Sequence, residues 1–322
     1  MSPRVSFVIP HWNKLEFLDR FLPPLLEQSY RDFEVIVIEN GSTDGSVEHL
    51  RSRYPQVRLL EQSTNLGFAP ATNLGIEASR AEFVAFFSND VYADRDWLER
   101  MMEVMEREPD AAILASRLLW ADDPERLYAA GDTYTVGGYP LNVGQGTLAT
   151  DPAFAMNREI FCACTAAALF RRSALDEVKE DWGYFDERYF AHGEDTDLGF
   201  RIRLRGWKAM YVADAVARHE GSASSDPGTA VFIRRTHRNG VMTLVKNYPG
   251  WLLLRHWYRV LFVGFFSIFM TPHRRAAVLG RWDALRMLPA LLRDRRRIQS
   301  TRTVDLGRLE HLMREHRLTR WF

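Results

Sequence analysis

The amino-acid sequence predicts an α/β protein with a mostly parallel, doubly wound sheet, followed by a helical C-terminal region. Apolar runs of strand length alternate with segments of helical spacing in the first part of the chain, which is typical of such a sheet. The run at 83–87 is apolar at every position, as expected for a strand buried on both faces. Residues 246–322 carry 16 Lys and Arg against 5 Asp and Glu in a chain that is neutral overall. We therefore predict an α/β domain over 1–245 and a basic helical region over 246–322.

The spacing of apolar residues and of turn formers predicts each element in turn. The helix after the first strand should be kinked or divided at Pro23 and Pro24. The predicted helix at 193–205 is expected to end at Gly206. Within it, Asp197 and Arg201 are four residues apart and can form an ion pair. Strands are predicted at 5–10, 33–38, 57–60, 83–87, 112–115 and 166–170, helices at 15–28, from 47, at 71–78, 97–107 and 193–205, and a hairpin or loop at 131–146.

Composition indicates a folded protein of a reducing compartment. Hydrophobic residues make up 46% and charged residues 26% of the chain, which is ordinary for a soluble globular protein. Its two cysteines, Cys162 and Cys164, are too few for a disulfide framework or a four-ligand zinc site. The first residues enter a strand without a secretory apolar segment. We therefore expect a cytoplasmic protein.

The basic region from 246 onward suggests a partner of its own. Its apolar part, 251–270, is interrupted by Arg255, His256 and Arg259, and the uninterrupted stretch 260–270 has 11 residues, short of the about 20 that span a bilayer. Apolar helices that carry Arg and Trp suit an anionic membrane surface. We expect peripheral binding at the cytoplasmic face of the membrane. Packing on the α/β domain, or on a second subunit in a homodimer, is the alternative; because no nucleic-acid motif accompanies the basic residues, we predict no nucleic-acid partner.

Acidic side chains lie where chemistry is expected. Asp90 follows the strand at 83–87, and open α/β sheets bind ligands just beyond the carboxyl ends of their strands. A carboxylate there suits Mg²⁺ or Mn²⁺ and a phosphate, with capping of the loop as the alternative. Glu194 and Asp195 begin a helix, where they either complement its dipole or include a general base. Asp44 is expected to cap the helix that starts near 47.

Several motifs occur together in one order, and this series resembles the family 2 glycosyltransferases, a large inverting group with a GT-A fold (the fold of nucleotide-diphospho-sugar transferases). Within the family, the sequence resembles the rhamnosyltransferase-like branch, over about residues 4–245. The motifs that carry the resemblance are Val8-Ile9-Pro10-His11-Trp12-Asn13, Glu39-Asn40-Gly41-Ser42-Thr43-Asp44-Gly45, Asn65-Leu66-Gly67-Phe68, Ser88-Asn89-Asp90 and Gly193-Glu194-Asp195-Thr196-Asp197-Leu198.

The resemblance implies an enzyme and assigns roles to its acidic residues. It implies transfer of a sugar, with L-rhamnose as a candidate, from a UDP- or dTDP-sugar to a glycan or lipid-linked acceptor in surface-polysaccharide assembly. Asp195 would be the catalytic base and Glu194 a partner of the acceptor or scaffold. Asp90, with His219, would hold Mg²⁺ or Mn²⁺. The family usually has Asp-x-Asp where this chain has Ser88-Asn89-Asp90, so Asp90 is the carboxylate that remains.

The resemblance also implies a nucleotide site at the strand tips. Glu39 would accept a hydrogen bond from the pyrimidine ring, and Trp182 would face the acceptor unless it belongs to the core. Residues 221–228, which are small and polar, could form a lid over the donor. Two alternatives are a non-catalytic nucleotide-binding membrane scaffold and a sugar-phosphate nucleotidyltransferase, although the latter typically has a Gly-rich basic loop that 10–13 lack. The substrate-binding candidates are Pro10, Asn13, Glu39, Asn40, Gly41, Asn65, Gly67, Asn73, Asn89 and Trp182.

Overall fold

The computed structural model describes residues 2–221 and 228–314, so most of the predicted lid lies outside the described residues. The strands are β1 (Val5–His11), β2 (Phe33–Asn40), β3 (Arg58–Gln62), β4 (Phe83–Phe87), β5 (Val91–Ala93), β6 (Ala111–Trp120), β7 (Leu127–Ala129), β8 (Asp132–Tyr134), β9 (Pro140–Asn142), β10 (Arg158–Ile160), β11 (Ala167–Arg171) and β12 (Lys208–His219). The helices are α1 (Leu15–Leu26), α2 (Ser46–Arg53), α3 (Phe68–Ala78), α4 (Trp97–Arg107), α5 (Arg172–Glu177), α6 (Glu194–Leu204), α7 (Ala230–Asn247), α8 (Gly250–Phe269), α9 (Arg274–Arg286), α10 (Leu288–Ser300) and α11 (Leu306–Arg314).

The central sheet is mixed and mostly parallel, which confirms the predicted fold class. Its strand order is β10-β12-β6-β11-β4-β1-β2-β3. The half formed by β4, β1, β2 and β3 is parallel throughout. Strand β11 then lies antiparallel between β4 and β6, while β12 runs parallel to β6. The parallel half brings the carboxyl ends of β1, β2 and β4, with their predicted site residues, to one edge of the sheet.

Helices cover both faces of this sheet, as a doubly wound pattern requires. Successive residues of a strand point to opposite faces, and Phe7 and Val8 accordingly belong to two different apolar clusters. The cluster around Phe7 includes α1 and α4, whereas the cluster around Val8 includes α3 and α6. All five residues of β4 are buried, which explains why this strand has no polar position.

Most predicted helices are found close to their predicted bounds. Helix α4 is found at the predicted residues, and α6 follows Gly193, whose φ of 87° turns the chain into the helix. Helix α1 is a single element that contains Pro23 and Pro24 in its last turn, so the predicted division does not occur. A proline removes a hydrogen bond to the preceding turn, and the helix ends soon after both.

The C-terminal region is helical, as predicted, and its first helix begins in the α/β domain. Helix α7 runs through the predicted boundary at 245, and Lys246 near its end is fully buried. Helices α7 and α9 pack closely, because a Cβ on Gly280 would lie only 2.1 Å from the carbonyl oxygen of Arg234. The elements after α7 are therefore anchored to the domain that carries the sheet.

Helix α8 differs from the expectation drawn from 260–270. It has 20 residues and is long and apolar enough to cross a membrane by length and composition, with 11% of its most apolar window buried. Arg255 and Arg259 fall inside the helix rather than before it. Length therefore does not exclude a membrane span, contrary to the sequence prediction.

Candidate active site

A cavity of about 640 Å³ opens beside the carboxyl end of β4 and brings together the predicted catalytic and metal residues. Asp90, Glu194, Asp195 and His219 all line it. Helix α7, the end of α8 and the turn after it form another wall, to which they contribute Phe232, Ile233, Thr236, His237, Ser267, Met270 and Thr271. The C-terminal helices thus complete the cavity instead of forming a separate module.

Asp90 and His219 are adjacent although they are far apart in sequence. The pairing of β12 with β5 places His219 opposite Val91, and its Nε2 atom lies 3.2 Å from Oδ1 of Asp90. Both side chains are buried, and the ring of Tyr128 lies edge-on to the imidazole at 4.4 Å. Within 2–221 and 228–314, Nδ1 of His219 has no hydrogen-bond partner. An imidazole and a carboxylate thus meet in the cavity wall.

These donors fit a divalent metal. Carboxylate oxygens suit Mg²⁺ and Mn²⁺, and imidazole nitrogen is a ligand of softer ions than Mg²⁺, so the pair suits Mn²⁺ better. A second group of potential ligands lies in the same cavity: atoms of Asp132, Cys164 and Asp195 are within 4.8 Å of one another. Sequence reasoning does not select Asp132, because this residue lies in the loop-rich stretch at 131–146, outside the quoted motifs.

Glu194 and Asp195 occupy a site that raises their proton affinity. Burial, and next the charge of Asp195, raise the pKa of Glu194 to about 8. Burial also raises the pKa of Asp195, although hydrogen bonds from Thr196 oppose the change. The Thr196 amide donates to Oδ1 of Asp195 at 2.7 Å. Burial therefore outweighs the helix dipole, which would lower both pKa values, and Asp195 is a stronger base than an exposed aspartate.

A buried ion cluster fixes the helix that carries these two carboxylates. Nζ of Lys246 lies 2.6 Å from Asp186 and 2.8 Å from Asp197, and none of these side chains is exposed. The predicted pair of Asp197 and Arg201 is confirmed at 3.0 Å. Because Asp197 is two residues beyond Asp195, the cluster ties the first turn of α6 to α7.

The substrate-binding candidates at the ends of β1 and β2 form hydrogen bonds within and between the loops that follow these strands. The backbone amide of Asn13 donates to Oγ of Ser42 at 2.7 Å, and the side-chain Oδ1 of Asn13 accepts from the backbone amide of Thr43 at 3.0 Å. Glu39 is buried and accepts from the amides of Gly41 and Ser42 at 3.3 and 2.8 Å. Pro10 lies beside them, paired with Ile38 in the sheet. The carboxylate expected to meet a pyrimidine is thus engaged with its own loop.

Asp44 binds the start of α2 with its side chain, although the N-cap position itself is occupied by Gly45. Its Oδ1 accepts from the amide of Ser46 at 3.1 Å, in the first turn of α2, and its Oδ2 accepts from the amide of Leu15 at 2.8 Å. The side chain therefore links the starts of two helices.

Asn40, Asn65 and Gly67 form a second such unit. Nδ2 of Asn40 donates to Oδ1 of Asn65 at 3.1 Å and to the carbonyl of Gly67 at 3.2 Å. Gly67 has a φ of 92°, and a Cβ there would lie 2.6 Å from the ring of Phe190. Gly41 has a φ of 77°, and a Cβ there would lie 2.7 Å from the backbone of Thr64. Both glycines are needed for the backbone path.

The remaining candidates make internal contacts outside the lining of the cavity described above. Asn73 pairs with the backbone of Phe185, accepting from its amide at 2.8 Å and donating to its carbonyl at 2.9 Å. Asn89 is buried, and its side-chain nitrogen Nδ2 lies 3.1 Å from Nδ1 of His11. The Trp182 ring lies beneath Lys246, whose Nζ is 4.5 Å from its centroid. Its surroundings are those of the ion cluster.

The fold is that of a GT-A glycosyltransferase, and comparisons with known proteins agree. Residues 6–179 match the model of glycosyl transferase family 2, and the chain belongs to that family. It is rhamnosyltransferase-like: over 256 residues it is 30% identical to the N-acetylglucosaminyl-diphospho-decaprenol L-rhamnosyltransferase of Mycobacterium tuberculosis, covering 73% of this chain and 81% of the relative. The O-antigen biosynthesis protein RfbC of Myxococcus xanthus is 25% identical, over 69% of this chain and 18% of that protein.

Solved structures confirm the GT-A fold. The mannosyltransferase PcManGT from Pyrobaculum calidifontis, solved with GDP-Man and Mn²⁺, has a TM-score of 0.56 at 17% identity, over 97% of this chain and 86% of that chain. GalNAc-T7, solved with UDP, GalNAc and Mn²⁺, has a TM-score of 0.57 at 13% identity, over 76% and 49% of the two chains. Membership of glycosyl transferase family 2 makes the chain a transferase, as predicted.

Proposed function

We propose that this protein transfers a sugar, L-rhamnose being the first candidate, from a UDP- or dTDP-sugar to a lipid-linked glycan acceptor, with inversion. The observation that carries the proposal is that Asp90, His219 and Asp195 line one cavity. The similarity to an enzyme named for an L-rhamnosyl transfer to a diphospho-decaprenol acceptor supports this sugar and this class of acceptor. We assign this proposed transfer to the assembly of a cell-surface polysaccharide.

The proposed base is Asp195. In an inverting transfer, the acceptor hydroxyl oxygen attacks the anomeric carbon as the bond to the diphosphate oxygen breaks, and one carboxylate takes the hydroxyl proton. Burial raises the pKa of Asp195, so the carboxylate accepts that proton more readily. Glu194 next to it has a pKa of about 8, so it is largely protonated at neutral pH and able to donate a hydrogen bond to the acceptor.

Asp90 and His219 are the proposed ligands of Mn²⁺ or Mg²⁺. Their oxygen and nitrogen atoms already lie 3.2 Å apart in the cavity wall. A bound divalent ion would neutralise charge that develops on the departing nucleoside diphosphate. The loops held by Asn13, Glu39 and Asn40 would shape the nucleotide site at the neighbouring strand tips.

We also propose that the protein binds the cytoplasmic face of a membrane through α8. Large apolar side chains are exposed along this helix, among them Trp251, Leu254, Leu261, Phe265 and Phe269. Their spacings of three, four or seven residues place them on one side of a helix. Since the end of α8 also lines the cavity, a membrane-bound acceptor would meet the active site near this surface.

The test of the base is the substitution Asp195→Asn. We expect kcat to fall by about 10²–10⁴, the usual contribution of a positioned base, while the Kd for dTDP or UDP stays within twofold in calorimetry. Asp214→Asn, at an exposed position of β12, is the matched control and should leave both values unchanged. Equal loss of donor binding in Asp195→Asn would assign the residue to the donor site instead.

The test of the metal site is a thermal-shift titration of UDP and dTDP with Mn²⁺ or with chelator. A ligand that binds the native state raises Tm by mass action. Asp90→Asn and His219→Ala should each abolish the Mn²⁺-dependent part of the shift, whereas His311→Ala, at an exposed histidine of α11, should retain it. A metal-dependent shift that survives both cavity substitutions would place the ion elsewhere.

A further inference from the structure

A second hollow, which we call the lateral groove, lies next to the catalytic cavity. It has a volume of about 380 Å³ and is lined by Ala230, Val231, Arg234, His273, Arg275, Ala276 and Leu279. Its walls belong to the starts of α7 and α9, which approach each other through Gly280. None of the sequence motifs predicts this groove.

The lateral groove and the cavity are lined by neighbouring residues of the same two segments of chain. Val231 lines the groove, while Phe232 and Ile233 line the cavity. In the turn before α9, Thr271 and Pro272 line the cavity and His273 lines the groove. Two separate segments of chain thus pass from one hollow to the other.

The walls of the groove favour an apolar ligand with a negative end. Val231 and Leu279 are 67% and 37% exposed, and the remaining apolar walls are alanines. Arg234 is neutralised by Asp283 at 2.6 and 3.0 Å. His273 and Arg275 are exposed at the rim.

The positive charge at this rim is not balanced within the groove. No acidic residue lines it, and Arg275 has no ion pair among the residues that the structure describes. Arg274 and Arg275 occupy the first turn of α9, where positive charge opposes the helix dipole. Helix stability therefore does not account for them, whereas binding of an anion would.

We propose that the lateral groove binds the phosphate-proximal end of the lipid carrier of the acceptor. The apolar chain would lie against Val231 and Leu279, and its phosphate or diphosphate would be held by His273 and Arg275. The acceptor sugar would then extend into the cavity toward Asp195. The inference rests on the proposed function, of which it specifies the acceptor class: a sugar linked through phosphate to an apolar chain.

The experiment uses two acceptor analogues that carry the same sugar diphosphate, one as a methyl ester and one with a ten-carbon isoprenoid chain, both below micellar concentration. In the unsubstituted protein we expect kcat/KM to be at least about tenfold higher for the longer analogue, since each buried methylene contributes about 0.8 kcal/mol. Val231→Asp should reduce this ratio to near one. Val278→Asp is the matched control, because Val278 is 51% exposed on α9 outside the groove; it should keep the ratio.

Calorimetric binding of both analogues without donor gives a readout that needs no turnover, and Arg275→Gln should weaken binding of both. If Val231→Asp still prefers the longer analogue, the groove does not bind the apolar chain and the proposal is refuted. The proposal is also refuted if the unsubstituted protein has no preference for the longer analogue, which is the result expected if a bilayer lipid or the chain's own residues fill the groove. If the ten-carbon analogue binds in the groove but neither analogue is turned over with any nucleotide sugar, the proposed function fails and the groove stands.

Discussion

The buried ion cluster around Lys246 allows one prediction to be worked out in detail. Asp186, Asp197 and Lys246 have no exposed side-chain surface, and Arg188 and Arg201 supply further positive charge to the two carboxylates. The substitution Lys246→Met keeps an unbranched side chain of similar length but leaves two buried carboxylates without the ammonium group that contacts both of them. Removing one partner of a buried ion pair costs about 3–5 kcal/mol, because the remaining charge stays desolvated.

We therefore expect Lys246→Met to lower the free energy of unfolding by about 3–5 kcal/mol, measured from urea midpoints at constant m-value. Lys179→Met is the matched control, since Lys179 pairs with Glu77 at the surface and is 39% exposed. Exposed pairs contribute about 0–1 kcal/mol. Adding Asp186→Asn to Lys246→Met should recover part of the loss, because it removes one of the two buried carboxylates that contacted Lys246.

The same cluster predicts a dependence on pH. Burial by itself would raise the pKa of Asp197, but Lys246 and Arg201 outweigh it and hold that pKa well below its usual range. Its contribution to stability is thus present above the unfolded pKa, about 3.9, and is lost as the pH falls below it. In Lys246→Met, the loss of unfolding free energy on acidification should be smaller than in the unsubstituted protein. If Lys246→Met is no more destabilising than Lys179→Met, the cluster does not stabilise the fold and the reasoning is refuted.

Two further predictions concern the strand tips. Gly67→Ala should lower the unfolding free energy by about 1–3 kcal/mol more than Gly146→Ala, because both glycines have positive φ but only at Gly67 would a Cβ collide with a side chain; equal midpoints in urea would contradict this. Burial lowers the pKa of His11 to about 4 from 6.5, so the unfolded chain takes up the proton first and stability should fall by at most about 3 kcal/mol between pH 6.5 and 4. His11→Asn, compared by urea unfolding across this range, should have a shallower slope; an unchanged slope would show that His11 is not buried in its neutral form.

The sequence by itself determined the sheet and the family. The apolar run of β4, the spacing of α4 and the polar residues after each strand are local signals, since strand and helix periods are set by backbone geometry. The ordered motifs indicated family 2 glycosyltransferases, which the comparisons confirm. The resemblance to that family also selected Asp90, Glu194, Asp195 and His219, which the structure brings to one cavity.

The tertiary structure alone decided what surrounds these residues. Contacts between distant segments bring Asp132 beside Asp195, join Lys246 to Asp197, and place α7 and α8 in the cavity wall. Long-range packing also engages Asn73 with the backbone of Phe185. Such contacts leave no periodic trace in the chain, because they depend on how whole elements pack. Burial, and with it the raised pKa of Asp195, is for the same reason a property of the folded protein and not of the motif.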